Sequence, residues 1–94
     1  MNHKQKGPRW KELMADFFEL PREVLLNLPR LTMLGNQQVL LENHRGIIYY
    51  DSEEIRLGIR GGELIITGRD LQVQKIMEEE IYITGRIEHL YFEE

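Results

Sequence analysis

The chain has 94 residues with no cysteine, 41% hydrophobic and 30% charged residues, and a net charge of −4. These values fit one small cytoplasmic domain and exclude a disordered chain, disulfides and thiolate metal sites. The acidic balance argues against a nucleic-acid partner, and no apolar run approaches the roughly 18 residues of a membrane span.

Residues 1–29 are predicted to be a polar tail followed by one or two short amphipathic helices. The first helix begins near Pro8 and ends at Pro21, because the residue before a proline disfavours helical geometry. Two interpretations of its aromatic face stay open: the face covers the sheet as a lid, or it docks on a partner or a membrane. The aromatic residues are Trp10, Phe17 and Phe18.

Residues 30–94 have the pattern of a β domain that forms one compact unit with the helices. In residues 55–59 apolar side chains alternate with other residues, as in a strand with one buried face. Short connections favour antiparallel neighbours. We therefore predict a mainly β fold, namely a small curved antiparallel sheet or a compact sandwich or roll of seven to eight short strands.

Residues 63–92 contain two copies of a similar sequence pattern. The sequence Leu-Ile-Ile-Thr-Gly-Arg at residues 64–69 returns as Ile-Tyr-Ile-Thr-Gly-Arg at residues 81–86. Each copy is predicted to be a strand, a sharp change of direction at glycine, and a second strand. The apolar spacing becomes odd after Val73 and after Ile87, which predicts a bulge or bend in each strand.

No set of residues predicts catalysis, a metal site or a cofactor. His3, His44 and His89 lack metal-ligand spacing, and Ser52 has no activating histidine at a telling position. Arg69 and Arg86 occupy equivalent places in the two copies, where ion pairs with nearby acids are favoured over an anion site. We therefore predict that the protein is not an enzyme.

Turns and sheet edges are the predicted contact surfaces of the β domain. The turn Asn43-His44-Arg45-Gly46 is polar and lies between two predicted strands. The last strand, residues 87–92, is either an interior strand or an edge that meets another chain. Strand addition at such an edge also provides a route to a homo-oligomer.

Several stretches resemble the YabP/YqfC family of sporulation proteins from endospore-forming bacteria. They are residues 20–30, residues 35–38, residues 42–48 and the two repeated units. The resemblance extends from about residue 13 to residue 92, and Glu-Asn-His-Arg-Gly at residues 42–46 is its most specific part.

The resemblance implies a small, β-rich, non-enzymatic protein made during endospore formation, at the stage of cortex and coat assembly. It implies action in the mother cell, peripheral to the outer forespore membrane. It also implies a protein partner, a membrane sporulation protein that is encoded alongside. The resemblance supplies no catalytic residues and no cofactor.

The leading hypothesis is an interaction protein, in which aromatic anchors contribute much of the binding energy. The alternative is a β module that binds a small apolar ligand or a lipid, which requires a pocket of several hundred Å³. The predicted partner-binding residues are Trp10, Phe17, Phe18, Asn43, His44, Arg45 and Gly46.

Overall fold

The computed structural model of the protein describes Glu19, Pro21 and residues 27–94. The predicted N-terminal helices lie for the most part outside these residues. The β domain predicted for residues 30–94 lies within them, and its secondary structure is mainly β as expected.

Six strands form one open antiparallel sheet in residues 27–94. The order across the sheet is β1-β2-β6-β5-β4-β3, so β1 and β3 are its outer strands. In chain order the strands are β1 (Arg30–Leu34), β2 (Gln38–Glu42), β3 (Ile47–Tyr50), β4 (Glu54–Ile59), β5 (Gly62–Ile76) and β6 (Glu80–Glu93).

The structure has six strands in residues 27–94 where seven to eight short ones were expected, because each repeated unit lies within one long strand. β5 has 15 residues and β6 has 14. The pairing of β5 with β6 continues past Gly68 and Gly85 with shifts in register. An unpaired extra residue in one strand forms a bulge, which bends the strand without ending it. The bulges expected after Val73 and Ile87 are confirmed, because the register skips Gln74 and Glu88.

The β5–β6 hairpin folds back on itself. The N–H of Arg45 donates to the carbonyl of Gly58 at 2.7 Å, and Gly58 pairs with Glu63 near the start of β5. The preceding residue, His44, bonds the carbonyl of Met77 just after the end of β5. In a straight strand residues 63–77 would span roughly 46 Å at about 3.3 Å per residue. Both ends of β5 lie beside consecutive residues, so β5 must be bent.

The bend lets one half of the sheet pack against the other, with a single apolar core between them. Burying each such side chain contributes roughly 1.5–3 kcal/mol. The cluster consists of Val39, Leu41, Ile55, Leu57, Ile59, Leu64, Ile66, Leu71, Ile81, Ile83 and Ile87.

The two glycines of the repeat permit the close approach of β5 and β6 at the bend. A Cβ on Gly68 would overlap the carbonyl oxygen of Arg86. At Gly85, which has φ +141°, a Cβ would lie 2.7 Å from the carbonyl oxygen of Asp70. The repeated Thr-Gly-Arg sequence therefore builds the bend from both strands.

Candidate interaction surface

Side chains link the β3 region to the C-terminal part of β5, although the two strands are not paired and β4 separates them in the order of the sheet. At one end His44 Nε2 lies 2.8 Å from the carbonyl oxygen of Met77. At the other end the N–H of Val73 donates to the hydroxyl of Tyr50 at 3.0 Å. Two side chains therefore fix the position of β3 against β5.

Large apolar side chains are exposed on both faces of β3 and at the end of β5, and we call this group of residues the apolar flank. Their exposed fractions lie between 38% and 54%. A group of large exposed apolar residues on a small domain is a candidate interaction site. The apolar flank consists of Ile47, Ile48, Tyr49, Tyr50, Ile76 and Met77.

The turn at residues 43–46 positions one end of the apolar flank. Asn43, at φ +66°, uses its side-chain amide to donate to the carbonyl of Leu28, and its N–H donates to Glu79, both at 2.6 Å. The N–H of Gly46 donates to His44 Nδ1 at 2.9 Å. Because the Met77 carbonyl only accepts, the proton of the His44 ring lies on Nε2.

The two ends of β3 carry opposite charge. Arg45 is exposed just before the strand, and Asp51 follows it. The Asp51 carboxylate accepts hydrogen bonds from the Tyr49 hydroxyl at 2.6 Å and from the N–H groups of Glu53 and Glu54. The Tyr49 bond, followed by the main-chain bonds, lowers the pKa of Asp51. The same bond raises the pKa of Tyr49.

The C-terminal half of β6 is an open edge in the described part of the chain. β2 pairs with β6 only from Glu80 to Thr84, so residues 89–93 pair with β5 alone. Tyr91 and Phe92 are 46% and 58% exposed there. The last predicted strand is therefore interior where β2 pairs with β6, and it has a free side only near its C-terminal end.

Two grooves lie on the outer surface of the sheet. One has a volume of about 250 Å³ and includes Leu34, Leu40 and Tyr82 in its lining. The other, about 420 Å³, lies at the bend near Asp70 and Arg86. The larger groove has no apolar side chain in its lining, so it does not suit the apolar ligand of the ligand-binding alternative.

The structure describes four of the seven residues that the sequence predicts for partner binding. Asn43, His44, Arg45 and Gly46 come together at the end of the apolar flank, where their bonds hold the surrounding main chain. Trp10, Phe17 and Phe18 lie outside the described residues. The exposed side chains of β3 were missed, although four uncharged apolar residues in a short strand were the available signal.

In the part of the chain that the structure describes, no three His, Asp or Glu side chains cluster as a metal site would require. Within the same residues no helix has the length and apolar character needed to cross a membrane.

Comparison with known proteins gives the family. The model of the YabP family matches residues 27–94. The chain is also 36% identical over 84 residues to the uncharacterized protein YqfC of Bacillus subtilis (strain 168), covering 89% of this chain and 90% of that protein. No solved structure matches the chain. The region matched by the family model contains the whole sheet, the bend and the apolar flank, and the chain belongs to the YabP family.

Proposed function

We propose that this chain is a non-enzymatic sporulation protein that works through protein–protein contacts. The observation that carries the proposal is the apolar flank, a surface of exposed Ile, Tyr and Met side chains held in place at both ends by hydrogen bonds. Fixed aromatic and aliphatic side chains suit protein contact, because little conformational entropy remains to be lost on binding. Membership in the YabP family, and the resemblance given above, supply the sporulation context.

The proposed place of action is the cytoplasm of the mother cell, at the outer forespore membrane, during cortex and coat assembly. The proposed partner is a membrane sporulation protein that is encoded alongside. Trp10, Phe17 and Phe18 contribute anchoring to that partner, and the sheet supplies a rigid body that carries them.

Deletion of the gene in an endospore-forming host tests the sporulation role. We expect normal vegetative growth, a reduced yield of heat-resistant spores, and a fluorescent fusion that collects around the forespore on the mother-cell side. A deletion strain with a full yield of heat-resistant spores and a fusion present only in vegetative cells would contradict the proposal.

Substitution of Trp10, Phe17 and Phe18 by serine separates anchoring from packing. If these residues bind the partner, the purified variant keeps its melting temperature and no longer co-purifies with the membranes of sporulating cells. If the variant melts far earlier, the aromatic residues belong to the core and the anchoring role is wrong. A full-length Leu34→Ser variant, altered at an exposed β1 residue, is the matched control.

A further inference from the structure

We infer that the apolar flank is the contact between two copies of this chain, with β3 of one copy antiparallel to β3 of the other. The inference rests on the proposed function, because that proposal treats the apolar flank as a protein-contact surface. The partner inferred at that surface is a second copy of this chain. The outer side of β3 has no strand partner among the described residues. An edge of this kind presents main-chain groups to a second strand.

β3 differs from the other edges in the side chains that it exposes. The outer strand β1 carries Arg30, the edge formed by the end of β6 carries Glu88, His89 and Glu93, and the C-terminal part of β5 carries Lys75. Charged residues on an edge oppose pairing with another chain. All four residues of β3 are exposed, and none of them is charged. A bulge lies between Ile47 and Tyr49, which leaves Tyr49 and Tyr50 in regular register with β4.

The charges around β3 favour a second copy in the antiparallel direction. Arg45 precedes the strand, and Asp51 and Glu53 follow it. A two-fold axis near the middle of β3 would place the basic end of each copy beside the acidic end of the other. Because a two-fold contact uses the same patch on both subunits, this favourable arrangement occurs twice. A parallel arrangement would instead place like charges together.

The size of the apolar flank sets the expected strength of association. A fully covered aromatic side chain buries about 150–250 Å². Because the six residues of the apolar flank are 38% to 54% exposed, their exposed area amounts to roughly 500 Å² per copy. Two copies would bury about 1,000 Å², which is near the lower limit for a specific interface. We therefore expect a dimer whose population depends on protein concentration.

Sedimentation analysis of the purified full-length chain over a range of concentrations tests the inference. We expect a monomer–dimer equilibrium that Ile48→Glu weakens at least tenfold in dissociation constant. Leu34→Glu, at a 68% exposed residue of β1, is the matched control and leaves the equilibrium unchanged. A chain that stays monomeric up to millimolar concentration, or a dimer that Ile48→Glu leaves intact, would overturn the inference.

A charge exchange tests the antiparallel direction and does not depend on the packing of Ile48. We expect Arg45→Glu to weaken the dimer, because it brings like charges together at both ends of the contact. The double variant with Arg45→Glu and Glu53→Arg should recover dimerisation at low salt. If the single variant has no effect, or the double variant recovers nothing, the antiparallel contact is wrong.

Single cysteine variants report the contact directly, since the natural chain has no cysteine. The variants carry one cysteine each, at residue 47, 48, 49 or 50. Under mild oxidation we expect a covalent dimer from at least one of them and none from Leu34→Cys. Cross-linking at Leu34 instead would assign the contact to β1 and overturn the inference. A monomeric chain that still supports sporulation would end this inference and leave the proposed function standing.

Discussion

His44 bonds two main-chain groups, one as a donor and one as an acceptor. Its Nε2–H donates to Met77, and its Nδ1 accepts from Gly46. The ring thus fixes the end of β5 to the start of β3. The hydrogen bonds of residues 43–46 therefore hold the main chain in place at one end of the apolar flank. These are also residues that the sequence predicts for partner contact.

Replacing His44 with alanine should destabilise the fold. The change removes two hydrogen bonds, each worth about 0.5–1.5 kcal/mol, so we expect the free energy of unfolding to fall by about 1–3 kcal/mol. Urea unfolding followed by circular dichroism measures the change. His89→Ala, on the exposed side of β6, is the control and should have little effect. Equal losses in the two variants would show that the His44 bonds do not hold the turn.

Gly68 should tolerate no side chain. An alanine Cβ there meets the main chain of Arg86, so β5 and β6 must separate at the bend, and we expect a loss of at least about 3 kcal/mol. Gly35→Ala is the comparison, because that position has φ +57° and open space around it. It should cost only the roughly 1–2 kcal/mol of a left-handed alanine.

Thermal unfolding of the two glycine variants measures this difference. A Gly68→Ala protein as stable as Gly35→Ala would mean that the two long strands do not approach closely at the bend.

Among the elements, β3 depends on side chains for its position against β5. Tyr50→Phe removes the hydroxyl that accepts from the N–H of Val73 and keeps the aromatic ring. We expect the free energy of unfolding to fall by about 0.5–1.5 kcal/mol. Amide hydrogen exchange should show faster exchange at Val73. Unchanged exchange there would contradict the contact between the two strands.

The turn between β3 and β4 should make stability depend on pH. The depressed pKa of Asp51 means that its contribution is present above the ordinary aspartate pKa and is lost as the pH falls through the folded-state value. The raised pKa of Tyr49 means that its contribution is present below the ordinary tyrosine pKa and is lost as the pH rises through the folded-state value.

Tyr49→Phe removes the bond between these two side chains. We expect wild type and variant to differ in unfolding free energy near pH 7. The difference should shrink at pH values well below the ordinary aspartate pKa and well above the ordinary tyrosine pKa. Urea unfolding at the three pH values tests this dependence. A difference that stays constant across the range would show that the Tyr49–Asp51 bond does not contribute to it.

The positions of the strands could be predicted from the sequence, and their arrangement could not. Alternation in residues 55–59 located β4 because a half-buried strand has period two. The odd spacing after Val73 and Ile87 located two bulges. The strand count failed because Gly68 and Gly85 were interpreted as turns, whereas the strands continue through them. The apolar flank depends on a contact between β3 and β5 that no local pattern encodes.

For the molecule as a whole, the bend joins the fold to the proposed function. It buries Leu64, Ile66, Ile81 and Ile83 of the repeat in one core and brings the end of β5 near β3. Ile47–Tyr50 and Ile76–Met77 are therefore exposed in the same region of the molecule. A straight hairpin would separate these residues and leave no continuous flank. The proposed contacts therefore depend on the folded-back geometry of β5 and β6.

The most direct test is the distance between spin labels placed at Glu63 and Glu78, near the two ends of β5, in a chain that otherwise has no cysteine. Pulsed electron spin resonance should give a distribution centred below about 30 Å, because both ends of the bent β5 lie near the consecutive residues His44 and Arg45. A straight strand would separate these positions by roughly 50 Å. A distribution centred at that longer distance would contradict the bend, the apolar flank and the contact function that depends on them.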